Sequence, residues 1–174
     1  LLDKIVRVWH ITSPSAILNK LHEEINVLLK QKDEEFSSGM DAVVVALEKQ
    51  EKYTKITFAG AKNSLYYFDN HTQILSEVKG TRKSIGGIQN EKIKFENRIV
   101  NLISGSFLYI GSDGVVDQNN KQRKSFTKKR LINLLKQIVH LPSSEQQARI
   151  EQTLDEYMEG TTQRDDILWI GTKV

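Results

Sequence analysis

Cysteine is absent from this 174-residue sequence, which excludes a disulfide framework, a cysteine nucleophile and any thiolate zinc site. No apolar run approaches the roughly 18 residues that a spanning helix needs, so a soluble chain with no membrane segment is expected. Residues 1–10 lack the basic, apolar and small-residue regions of a secretory signal, and a bacterial-type cytoplasm is the default compartment. There is no Gly-x-Ser-x-Gly elbow and no Gly-Lys-Ser/Thr phosphate loop. The four histidines, His10, His22, His71 and His140, show no paired ligand spacing. They read as surface or helix-end residues.

What is present suits one domain over residues 1–174, long enough to bury a core. The formal net charge of +3 conceals an uneven distribution. Between Gln118 and His140 stand seven basic residues (Lys121, Arg123, Lys124, Lys128, Lys129, Arg130 and Lys136) and no acid. From Ser143 to Asp166 there are seven acids against Arg149 and Arg164. The local pattern therefore says more about partners than the whole-chain charge does.

Residues 1–8 read as the tail of a helix. Ser13-Pro14 opens a second, with Ser13 as N-cap, an apolar stripe through Ile17, Leu18, Leu21, Ile25, Leu28 and Leu29, and an end near Gln31. Ala42–Leu47 is a continuous apolar run, expected as a buried strand. Tyr53–Ala59 alternates, and Leu65–Phe68 and Ile74–Val78 flank an Asp69-Asn70 turn. Lys92–Val100 and Phe107–Ile110 complete the run of strands. Helices follow over Thr127–His140 and, after Pro142, over Ser143–Met158 with Ser143 or Ser144 as cap. A last strand is expected over Ile167–Gly171. Segregated strands and helices of this kind indicate α+β with a largely antiparallel sheet.

Two acidic turns flank strands. Asp113 follows the Leu108-Tyr109-Ile110 strand, between Ser112 and Gly114, and Asp165 precedes the last strand in Arg164-Asp165-Asp166-Ile167. If those strands pair antiparallel, both carboxylates converge at one rim of the sheet. Converging carboxylates repel unless protonated or bridged, which suggests a hard cation such as Mg²⁺ or Mn²⁺. Gly114 would let the backbone pass close to that ion. Ordinary turn and strand-entry chemistry accounts for the same residues and stays open on spacing alone. Ser84-Ile85-Gly86-Gly87 reads as a tight glycine turn, and Gly60 as a bulge or a close backbone approach. The basic stretch Lys121–Arg130 invites a nucleic-acid reading. It holds one aromatic, Phe126, and leads into an amphipathic helix, so a solvated face is preferred.

The turns, taken in order, resemble those of a SpoIIE-like bacterial serine phosphatase domain of the PPM (type 2C) metal-dependent family. The matching segments are Gly39-Met40-Asp41-Ala42, then Phe58-Ala59-Gly60-Ala61 with Leu65-Tyr66, then Ser84-Ile85-Gly86-Gly87. Leu108 to Gly114 with Asp117-Gln118, and Arg164-Asp165-Asp166-Ile167-Leu168, complete the series. The resemblance implies an antiparallel β-sandwich flanked by helices, with two Mn²⁺ or Mg²⁺ ions at one end. Asp113 and Asp165 map onto metal ligands; Gly114, Ser38 and Asp166 fall at the site rim. It also implies hydrolysis of phosphoserine or phosphothreonine by a metal-activated hydroxide, on a substrate such as an anti-sigma-factor antagonist, under an upstream sensory domain.

The sequence departs from that pattern in two places. The family's first two strands and its Asp-x-x-Gly-His-Gly segment are not in this sequence, so an N-terminally truncated domain, weakly active or inactive alone, is expected. Ser38 stands where the family usually carries an acid. The alternatives are a non-catalytic pseudophosphatase or partner-binding signalling module and, further behind, a nucleic-acid binder.

Overall fold

A computed structural model describes residues 1–28, 39–87 and 93–174. Contacts divide the chain into two compact units. The first comprises residues 1–65 and 78–102, and the second residues 66–77 and 103–174.

In the first unit a short π-helical turn, Lys4–Val8, precedes helix α1, Pro14–Leu28. The expected end of that helix near Gln31 lies outside the described residues. Ser13 does not cap it with its side chain. Asn97 does so instead: its Oδ1 accepts from the Ser15 N–H at 2.8 Å while its Nδ2 donates to Ser13 Oγ at 2.9 Å. Strand β1, Gly39–Met40, is short; β2, Ala42–Lys49, and β3, Thr54–Ala61, follow.

The second unit takes up the chain within β4, Leu65–Asp69, and continues into β5, Ile74–Val78. Back in the first unit lie β6, Ile85–Gly86, and β7, Arg98–Leu102. The chain then runs through β8, Phe107–Gly111; α2, Gly114–Asp117; α3, Thr127–Ile138; α4, Ser143–Met158; and β9, Trp169–Lys173. The sheets are antiparallel, ordered β1-β6, β2-β3-β7 and β5-β4-β8-β9. The architecture is α+β, as the segregated pattern predicts.

Position in the sheet explains where burial differs from expectation. β2 is an edge strand, so its apolar run is only half-buried or exposed, with Leu47 51% accessible. β3 is central, and from Ile56 onward it is buried on both faces despite its alternating sequence. The strand expected over Lys92–Val100 shrinks to Arg98–Leu102, and Lys92 itself is outside the described residues. Asn19 of α1 takes both backbone groups of Phe95, accepting from its N–H at 2.9 Å and donating to its carbonyl at 3.2 Å. A side chain thus replaces the ladder there.

His22 also departs from a surface role. Its Nδ1 accepts from the Gly86 N–H at 2.9 Å, so the neutral ring carries its proton on Nε2. Burial holds its pKa below the ordinary value of 6.5. Gly60 is a close backbone approach: an added Cβ would lie 2.3 Å from the Asn63 carbonyl.

The first unit's core joins Ile5, Ile17, Leu18 and Leu21 to Ala59, Ile85 and Phe95. In the second unit, Leu131, Leu134, Leu135 and Ile138 of α3 and Ile150 and Leu154 of α4 pack with Tyr66, Phe68, Phe107 and Tyr109 of the sheet. Full burial of each such aliphatic side chain stabilises by about 1.5–3 kcal/mol. Tyr109 threads this core, and its hydroxyl donates to Gln146 Oε1 at 2.7 Å. Gln146 Nε2 donates to the Val139 and Leu141 carbonyls. Burial raises the Tyr109 pKa well above its usual range, so the hydroxyl stays a donor. Neither Ser143 nor Ser144 caps α4; Pro142 holds the N-cap position with no side-chain bond.

Candidate functional site

β8 and β9 pair antiparallel with Gly111 opposite Trp169, so the end of one strand meets the start of the other. The Ser112-Asp113-Gly114 and Arg164-Asp165-Asp166 segments extend from that same end. Ser112 joins them. Its hydroxyl donates to the Asp166 carbonyl at 2.9 Å and accepts from the Leu168 N–H at 3.0 Å, and its own N–H donates to the Leu168 carbonyl at 2.9 Å. These bonds occupy the Asp166 carbonyl and both backbone groups of Leu168, and the ladder begins at Trp169 rather than at Ile167.

Two glycines make the approach sterically feasible. A Cβ on Gly111 would lie 2.2 Å from the Trp169 ring. One on Gly114 would lie 2.4 Å from the Asp166 carbonyl oxygen and 3.2 Å from Ile167 Cγ1. Gly114 thus admits a neighbouring backbone, a role at the rim that the Ser-Asp-Gly spacing suggests.

Asp113 is exposed at the position preceding α2, a single turn that sequence periodicity does not reveal. Its carboxylate makes no hydrogen bond or ion pair among the described residues, and neither does that of Asp166. Asp165 is exposed, and its Oδ1 accepts from the Asp166 N–H at 2.7 Å. Both Asp113 and Asp165 therefore keep carboxylate oxygens free for a hard cation. Oxygen-only donors on a fixed backbone fit Mg²⁺ or Mn²⁺ as part of a shell that water completes. Among the described residues no group of three histidine, aspartate or glutamate side chains converges to hold an ion. Ser38 lies outside the described residues. Asp41 is engaged elsewhere, 3.6 Å from Lys62 Nζ.

Sequence reasoning passed over Gln118 as a positioning residue. Fully buried, it donates from Nε2 to the Asn119 and Thr162 carbonyls at 3.1 and 3.2 Å, and its Oε1 accepts from the Arg164 N–H at 3.0 Å. It thereby orders the strand-less stretch that leads into Asp165. Its proximity to Asp117 in sequence was the available signal, but nothing local tells a buried amide from a surface one.

The family model for stage II sporulation protein E (SpoIIE) matches residues 4–174. The chain belongs to the SpoIIE family. Among solved structures, the SiaA PP2C domain of Pseudomonas aeruginosa is 27% identical with a TM-score of 0.84, over 99% of this chain and 65% of that one. The PP2C phosphatase domain of SpoIIE from Bacillus subtilis, with a fragment of its regulatory domain, is 15% identical at a TM-score of 0.70, over 99% and 47%. RsbX, in complex with magnesium, is 12% identical at 0.61, over 99% and 70%. The chain thus spans less than two thirds of the length of the SiaA and SpoIIE structures. No curated protein matches by sequence. The fold is that of the PPM-type phosphatases, a family of protein serine/threonine phosphatases. No helix among the described residues is long and apolar enough to cross a membrane.

Proposed function

We propose that this SpoIIE-family domain hydrolyses phosphoserine or phosphothreonine on a bacterial signalling protein, with Asp113 and Asp165 holding Mn²⁺ or Mg²⁺. The observation that carries the reading is the Ser112 clasp, which keeps the two aspartate segments side by side at the end of the β8–β9 pair. Asp113 contributes an uncommitted carboxylate, and Asp165 one whose Oδ1 is already oriented by the Asp166 N–H. Gln118 holds the approach to Asp165 in place from the interior. Gly114 keeps the two backbones close. A bound divalent cation supplies the acidity that makes water a nucleophile near neutral pH. Membership of a family that includes sporulation and RsbX-type phosphatases supports an anti-sigma-factor antagonist as substrate and a sensory domain upstream.

The test is hydrolysis of an aryl phosphate and a phosphoserine peptide with Mn²⁺, beside direct Mn²⁺ titration. Outer-shell changes alone cost metal sites 10–100-fold, so Asp113→Asn is expected to lower both turnover and Mn²⁺ affinity by about 100-fold or more. Unchanged Mn²⁺ affinity in that variant refutes the assignment, whatever the turnover of the chain alone. The second reading is a binding-only signalling module. It is favoured by the lack of a third converging ligand among the described residues, and predicts phosphopeptide binding with no release of phosphate.

A further inference from the structure

Helix α3 sorts its basic side chains by direction. On one flank Lys128 donates to Glu77 of β5. On the other, Arg130 lies over the Tyr157 ring of α4, 5.1 Å from its centroid. Between these flanks Lys129, Asn133, Lys136 and His140 follow one another at steps of four, three and four residues, which sets them on one exposed stripe. Lys129, Asn133 and Lys136 make no hydrogen bond or ion pair among the described residues, and no acid occurs between Gln118 and His140.

The stripe ends at a pocket of about 350 Å³. Phe68, Ile74, Leu75 and Val139 supply its apolar wall, and Lys136 and His140 its polar margin. Phe68 and Val139 are buried, whereas Ile74 is 57% exposed. The His140 ring meets Phe68 edge-on at 5.3 Å. An apolar recess beside cations with no internal partner is a recognition surface for a ligand that is apolar at one point and anionic at the next.

We infer that this face of α3 docks an acidic protein segment, which seats one aromatic or aliphatic side chain in the pocket and lays its carboxylates across Lys136 and Lys129. The seven helical steps from Lys129 to Lys136 rise about 10 Å along the helix. A segment in polyproline II conformation rises about 9 Å in three residues and returns to the same face, so two acids three apart face the two lysines. Nucleic acid fits less well, because its phosphates have no use for the pocket and the stripe carries no aromatic for base stacking. The inference does not depend on the phosphatase reading, since none of these residues belongs to the aspartate segments.

Fluorescence anisotropy on the intact protein tests it with three labelled probes: an acidic decapeptide with one central phenylalanine, its alanine counterpart, and an oligothymidylate of equal charge. The phenylalanine peptide is expected to bind best. Exposed charge pairs contribute up to about 1 kcal/mol each, so reversing both in Lys129→Glu/Lys136→Glu weakens binding about tenfold. Ile74→Asp is expected to bring the phenylalanine peptide down to the level of the alanine one. All three substitutions are at exposed positions, and circular dichroism verifies the fold of each variant. Absence of saturable binding at millimolar protein, equal binding of the two peptides, insensitivity to charge reversal, or tighter binding of the oligothymidylate overturns the inference. The last of these assigns the face to nucleic acid.

Discussion

Replacing Gly114 by alanine puts a methyl group 2.4 Å from the Asp166 carbonyl oxygen and 3.0 Å from its carbonyl carbon. Non-bonded carbon contacts settle near 3.5 Å, so the 165–166 segment must retreat by about 1 Å. That carbonyl accepts from Ser112 Oγ at 2.9 Å, and stretching the bond forfeits about 0.5–1.5 kcal/mol. Overpacking adds about 1–3 kcal/mol, while alanine's better helix propensity in α2 returns at most about 1 kcal/mol. The net loss of stability is thus about 0.5–4.5 kcal/mol. The effect on function should be larger, because a displacement of about 1 Å at a reacting site can cost about 100-fold in rate. Phosphatase turnover and Mn²⁺ calorimetry should both fall in Gly114→Ala. Leu134→Ala, which removes a buried contact of α3 worth about 2–5 kcal/mol, should leave turnover per folded molecule intact. Turnover in Gly114→Ala within about threefold of the parent would refute the argument that this contact sets the aspartate geometry.

Gln118→Leu removes three hydrogen bonds and strands the Arg164 N–H, and should cost about 2–4 kcal/mol in urea denaturation; no shift in the midpoint contradicts its bracketing role. Tyr109→Phe leaves Gln146 Oε1 without its donor and should destabilise by about 1–2 kcal/mol, visible as a lower melting temperature. The depressed pKa of His22 means that the unfolded chain takes up a proton first as pH falls below 6.5. The stability that neutral His22 contributes is therefore complete above that pH and lost below it, down through the folded-state pKa. The protection factor of the Gly86 amide, its exchange rate corrected for the intrinsic pH dependence, should fall over the same window, and a constant factor contradicts the acceptor role.

Much of the architecture is legible in local pattern. The α3 and α4 helices follow from apolar residues at helical spacing, and Ile74–Val78 and Ser143–Met158 form with the expected limits. The antiparallel pairing that sets the Ser112-Asp113-Gly114 and Arg164-Asp165-Asp166 segments at one end of β8 and β9 is legible as well, because turn residues beside buried strands are few and Ser-Asp-Gly is distinctive. Other features are not. β2 carries the continuous apolar run and β3 the alternation, yet β2 is the edge strand and β3 the central, more buried one. The single turn of α2 and the two-residue ladder β1–β6 are too short to carry a period.

The sequence by itself therefore determined the order and type of the main elements, the lack of thiol chemistry, and Asp113 and Asp165 as candidates, since each rests on residue identity and short-range spacing. Tertiary structure decided the rest. Only folding brings the Ser112 hydroxyl to the Asp166 carbonyl across 54 positions, buries Gln118 against the approach to Asp165, and makes Asn19, His22 and Asn97 partners of distant backbone. Such contacts depend on which strands become neighbours, and that is settled by the packing of the whole chain rather than by any window of it.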